Sequence, residues 1–166
     1  MCIRDSHNHD LLNELIAFGV DVNIKTVFNF TSLMFVIANL ENVNFYNQRE
    51  LSKCHKTVIA LLNNGADINS YDDEGKSPLH IACRIGSHNT VKLLLDNGAD
   101  VNSCMEETGA SPLSIAYQNG RDNVVKLLLT YGAITPKNKT GICPLFQLMI
   151  INMRIRCKSC STMALG

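Results

Sequence analysis

The stretch "GKSPLHIACRIGSHNTVKLLLDNGADVNS" fills residues 75–103, and it returns in altered form as "GASPLSIAYQNGRDNVVKLLLTYGA" at 109–133. In the first copy Ser77 is a good helix N-cap. Pro78 follows at the first helical position, where a missing N–H costs nothing. The spacing predicts a short helix over "SPLHIACRI", a turn at Gly86 and a second helix from about Asn89 to Asn97. Val91, Leu94 and Leu95 recur at i, i+3, i+4 and so share one face. Gly98 stands where the chain must leave that helix, a place that favours a left-handed backbone. "ADVNS" then runs extended toward a turn.

The same punctuation recurs along the chain. A glycine follows an apolar helical run at Gly19, Gly65, Gly98 and Gly132, at intervals of 46, 33 and 34. The interval of 46 is 33 plus an insertion of 13, placed between Asn39 and Lys56. A period of this size marks stacked supersecondary units. Helices this short are marginal alone, and their apolar faces are too narrow for a private core. Each unit must therefore supply the core of the next.

These residues resemble the ankyrin repeat. The family's T-P-L-H-x-A appears as Ser77-Pro78-Leu79-His80-Ile81-Ala82. Its G-A-D-V-N appears at Gly98–Asn102 and, with Ile68, at Gly65–Asn69; Gly19–Asn23 is a looser copy. Other units depart from it. The second opens Thr31-Ser32-Leu33-Met34, the fourth opens Ser111-Pro112-Leu113-Ser114, and one residue is added near Met105–Gly109. The resemblance implies an all-α solenoid of helix–turn–helix units joined by finger turns. A half unit is expected at about 8–25, units at about 26–71, 72–104 and 105–135, and a partial cap at about 136–150. Second helices are expected near 10–18, 56–64, 89–97 and 123–131. The insertion at 41–53 carries Phe45 and Tyr46 and is read either as an exposed interaction loop or as an extension of the helical hairpin.

Composition bounds the rest. The 166 residues carry 15 basic and 15 acidic side chains, so no net field favours nucleic acid or a membrane surface. No acidic residue follows Asp122, and the segment 151–166 is a basic tail, expected to be disordered or truncated. Seven irregularly spaced cysteines suit reduced thiols in the cytoplasm or nucleus better than a disulfide framework. The opening "MCIRDS" can be written ATG-TGT-ATA-AGA-GAC-AG, which resembles the end of a transposon adapter. Residues 1–6 are therefore expected to be a sequencing scar on a fragment of a longer chain.

Candidate sites are few. The resemblance gives His80 a structural role, its ring hydrogen-bonding backbone within and between units. Asp72-Asp73 and Glu106-Glu107 fall at finger tips in solvent, not in a pocket that acid–base catalysis would need. Cys157 and Cys160 have the spacing of half a zinc site, with no second pair in the few residues after them. No catalytic, cofactor-binding or metal-binding residue is expected.

The family binds proteins through finger tips and the exposed face of the first helices. Its contact positions fall here on Tyr71, Asp73, Glu74, Lys76, Arg84, Ile85 and Asn97, then on Cys104, Gln118, Asn119 and Tyr131. The expectation is a monomeric, non-enzymatic scaffold or adaptor whose partner is another protein. The acidic fingers favour a partner patch rich in Lys or Arg. The alternative is the targeting arm of a larger enzyme, such as a ubiquitin ligase whose zinc finger would begin at Cys157.

Overall fold

The computed structural model describes Glu14 and residues 18–40 and 48–134. Among these residues there are six helices and no strand: α1 (Ser32–Asn39), α2 (Gln48–Asn63), α3 (Pro78–Ile85), α4 (His88–Asp96), α5 (Pro112–Gln118) and α6 (Asp122–Thr130). The fold is all-α, as the repeat implied. The helix expected near 10–18 lies outside the described residues except for Glu14 and Phe18, whose amide donates to the Glu14 carbonyl at 3.0 Å. Residues 1–6, the cap at 136–150 and the tail at 151–166 also lie outside them.

Each first helix starts by the same local chemistry. Thr31, Ser77 and Ser111 have extended backbones, and their hydroxyls accept the amides of Met34, His80 and Ser114. In α3 and α5 the cap is reciprocal: His80 Nδ1 accepts the Ser77 amide at 3.1 Å, and Ser114 Oγ accepts the Ser111 amide at 2.9 Å. Ser114 thus replaces the histidine as the returning acceptor.

The helices pair as α1 with α2, α3 with α4 and α5 with α6; α3 stacks between α1 and α5, and α4 packs on α6. Leu33, Met34, Ile37, Leu79, Ala82, Val91, Leu94, Ala116 and Leu128 are wholly or almost wholly buried. Ala82 and Ala116 are buried in the stacked first helices α3 and α5, where a small side chain leaves room for a neighbouring helix.

Over residues 48–53 the insertion follows the second of its two readings and extends the helical hairpin as part of α2. That helix has 16 residues against nine in α4, and its extra turns begin at Gln48, inside the 41–53 segment. "QRELSK" holds strong helix formers and no Gly or Pro, so it propagates the helix already nucleated behind it. Phe45 and Tyr46 lie outside the described residues.

Polar bonds set the register of the stack. Asn23 donates to the Gly65 carbonyl at 2.9 Å and accepts the Asp67 amide at 2.7 Å. Asn69 repeats this on Gly98 and Asp100, at 3.3 and 2.9 Å, and Asn102 donates to the Gly132 carbonyl at 3.4 Å. The glycines at 19, 65, 98 and 132 all have φ between 78° and 89°. Gly86 is left-handed too, and a Cβ there would lie 2.5 Å from the Arg121 side chain. Arg121 crosses that gap to donate from Nε to the Arg84 carbonyl at 3.2 Å.

His80 is 1% exposed, with Nε2 3.2 Å from the Ala110 carbonyl of the next unit. Because Nδ1 accepts from Ser77, the proton sits on Nε2. Burial pushes the His80 pKa below its ordinary 6.5, and burial does the same to His55, whose Nε2 meets Thr90 Oγ1 at 3.0 Å across α2 and α4. The unfolded chain therefore takes up these protons more readily than the folded one. The stability they contribute is complete above pH 6.5 and is lost as pH falls through the lowered folded values. Urea midpoints should decline over that window, and His80→Met, the residue that Met34 supplies in the second unit, should flatten the decline. Leu94→Ala should cost about 2–5 kcal/mol by opening a cavity, and exposed Lys92→Ala about 0.5 kcal/mol or less, both from the same urea titrations.

Candidate functional site

Three finger turns line up beside the first helices. Finger one (residues 25–31) closes with a bridge between Lys25 and Thr31; the Asn29 amide donates to the Thr26 carbonyl at 3.0 Å. Asn29 has φ 56°, the sole described non-glycine residue in the left-handed region. Finger two (72–76) is organised by Asp72, whose carboxylate accepts the amides of Glu74 and Lys76 at 3.0 and 2.8 Å. Asp72 is therefore half-buried and spent on the turn, not free in solvent as its place at a tip suggested. Finger three (105–110) carries the added residue as a wider turn closed by Met105 and Ala110 at 3.0 Å, with Glu106 and Glu107 exposed.

Fingers one and two are tied together. The Asp73 amide donates to the Phe28 carbonyl at 3.2 Å, and the Asn29 side-chain amide donates to the Asp73 carboxylate at 2.6 Å. Between these fingers and helices α1 and α3 lies a shallow groove of about 220 Å³. Phe28, Phe30, Ala38 and Ile81 form its apolar lining, and Asp72, Asp73, Glu74, Lys76 and Arg84 its polar one. Lys76 pairs with Glu74, and the hydrogen bond from Lys76 is the main reason the Glu74 carboxyl titrates below its usual range.

A family model described as ankyrin repeats in three copies matches residues 49–140. The chain belongs to the ankyrin-repeat family. No curated protein sequence matches it. Ankyrin repeats are generally protein–protein interaction modules, typically without enzymatic activity. Among the described residues no helix is long and apolar enough to cross a membrane, and no three His, Cys, Asp or Glu side chains converge as metal ligands. Cys157 and Cys160 lie outside them.

Within this ankyrin array, four expected contact residues meet in the groove: Asp73, Glu74, Lys76 and Arg84. Tyr71 is 41% exposed at the entry to finger two, its phenol raised above its ordinary range by burial first and then by Asp100, Cys104 and Asp67. Gln118 and Asn119 are exposed at the end of α5, where the Asn119 side chain donates to the Ile115 carbonyl at 2.8 Å. Cys104 is exposed beside finger three.

Three positions stand away from the groove. Ile85 is 5% exposed and belongs to the core, because the last turn of α3 rotates it inward while Arg84 faces out. Asn97 caps the C-terminus of α4, bonding Leu93 at 2.7 Å, and Tyr131 caps that of α6. The Tyr131 hydroxyl donates to Asp96, which also pairs with Lys92; these residues link the second helices and do not line the groove.

The aromatic half of the groove was missed, although the sequence held a signal for it. Aligning the caps Thr31 and Ser77 sets Phe28 against Glu74, Phe30 against Lys76 and Ala38 against Arg84. The contact pattern thus extends into the second unit with apolar residues in place of charged ones. The positive φ of Asn29 predicts the cost of disturbing it. Asn29→Ala should lose about 1–2 kcal/mol in urea unfolding and speed hydrogen exchange at the Asp73 amide. Asn29→Gly should lose less stability and expose that amide less, since it keeps the backbone that presents the Phe28 carbonyl and loses only the side-chain bond to the Asp73 carboxylate.

Proposed function

We propose that this array is a non-enzymatic scaffold or adaptor that binds another protein through its finger tips and the outward face of its first helices. The observation that carries this reading is the groove itself. Charged side chains from finger two and α3 project beside a finger backbone already bonded into place. A surface ordered before binding loses little entropy on complex formation. Tyr71 and Arg84 are of the types that concentrate binding energy. An intracellular setting belongs to the same reading: Cys54 and Cys83 are buried thiols used as small packing residues, and burial raises the Cys83 pKa further from reactivity.

The immobilised chain should capture a partner from a cell extract, and the Tyr71→Ala/Arg84→Ala double variant should lose it. With the partner purified, the two contributions separate kinetically. Reversing Asp73 and Glu74 to Lys should slow association and reduce its salt dependence, if the fingers steer a basic patch. Tyr71→Ala should instead speed dissociation, by about 1–3 kcal/mol. Binding indifferent to all these changes would move the site off this face.

A further inference from the structure

We propose that the groove between fingers one and two seats a large apolar side chain of a partner protein that carries Lys or Arg directly beside it. This rests on the binding reading above and names the chemistry of the partner.

The apolar part follows from Phe28. Its side chain is 72% exposed, beside Val27 at 92%. An aromatic ring left in water is costly unless something covers it, and this one stands on a backbone that cannot withdraw it. The Asp73 amide holds the Phe28 carbonyl, and the Asn29 side chain holds the Asp73 carboxylate. Phe30, Ala38 and Ile81 continue the apolar lining from finger one onto α1 and α3. A ring or branched aliphatic chain laid between them would cover Phe28 with little ordering cost to the array.

The cationic part follows from the unequal pairing of the rim. Glu74 and Lys76 neutralise one another. Asp72 and Asp73 carry no ion pair among the described residues; they are held by backbone amides and a neutral asparagine. Arg84, the other lining cation, lies close enough to Glu74 to help hold its carboxyl down. Three lining carboxylates against two cations leave the groove net negative, and Asp73, bonded to finger one, stands next to Phe28. A Lys or Arg adjacent to the apolar anchor meets Asp72 and Asp73 there, whereas an acidic neighbour meets like charge.

The test uses random dodecapeptides displayed on phage and selected on the immobilised full chain. The enriched peptides should pair Leu, Ile, Met, Phe or Trp with an adjacent Lys or Arg. Calorimetry on one such synthetic peptide should show about tenfold or more weaker binding to Phe28→Ser. Asp73→Asn keeps an oxygen for Asn29 but removes the charge; it should weaken binding roughly threefold and flatten the salt dependence. Circular dichroism should match the parent for both variants.

Enrichment of acidic peptides, of peptides without Lys or Arg, or of none at all overturns the inference. So does binding indifferent to both variants. Peptides lost to Tyr71→Ala/Arg84→Ala but indifferent to Phe28→Ser overturn it while leaving the wider binding face standing. Indifference to every change sinks both.

Discussion

Register in this array depends on one side chain repeated three times. Asn23, Asn69 and Asn102 each leave the end of one unit and donate to the carbonyl of the glycine that ends the second helix of the next. Asn23 and Asn69 also accept the amide two residues beyond that glycine. Hydrophobic burial drives the stacking but has no direction, so helices of this length could slide or rotate against each other. A carboxamide has one donor end and one acceptor end, and it fits only when the facing glycine has turned left-handed and presents both partners. The bond and the glycine are thus two halves of one constraint.

With the register set, the fingers fall into line, and their own chemistry makes them firm. Asp72 folds finger two around its carboxylate, and finger two then holds finger one through Asp73. Few of these polar groups are left to reach for a ligand. What remains outward includes the Phe28 ring and the Arg84 side chain, both exposed beside these bonded fingers. The proposed binding face is thus displayed on a framework that its own polar bonds hold in place.

The opposite side of each unit is bridged differently. His55 reaches Thr90 between α2 and α4, Tyr131 reaches Asp96 between α6 and α4, and Arg121 crosses Gly86 to the Arg84 carbonyl. These contacts do not repeat from unit to unit, unlike the asparagine bonds.

The sequence by itself determined the helices, the caps, the glycine exits and the period, because each depends on residues a few positions apart. Ser77 before Pro78 is a cap in any context, and Leu94 at its spacing from Val91 faces inward wherever the helix packs. The helical character of "QRELSK" was legible in propensity, but length beyond the period left an extended hairpin and a loop equally open. Only tertiary structure decided which surface residues act together. Ile85 and Arg84 are neighbours in sequence, yet helix rotation buries one and exposes the other. Asp73 and Phe28 are 45 positions apart, and the stack makes them hydrogen-bonded neighbours. A groove is a relation between units, and relations of that kind appear only when the register between them has been set in space.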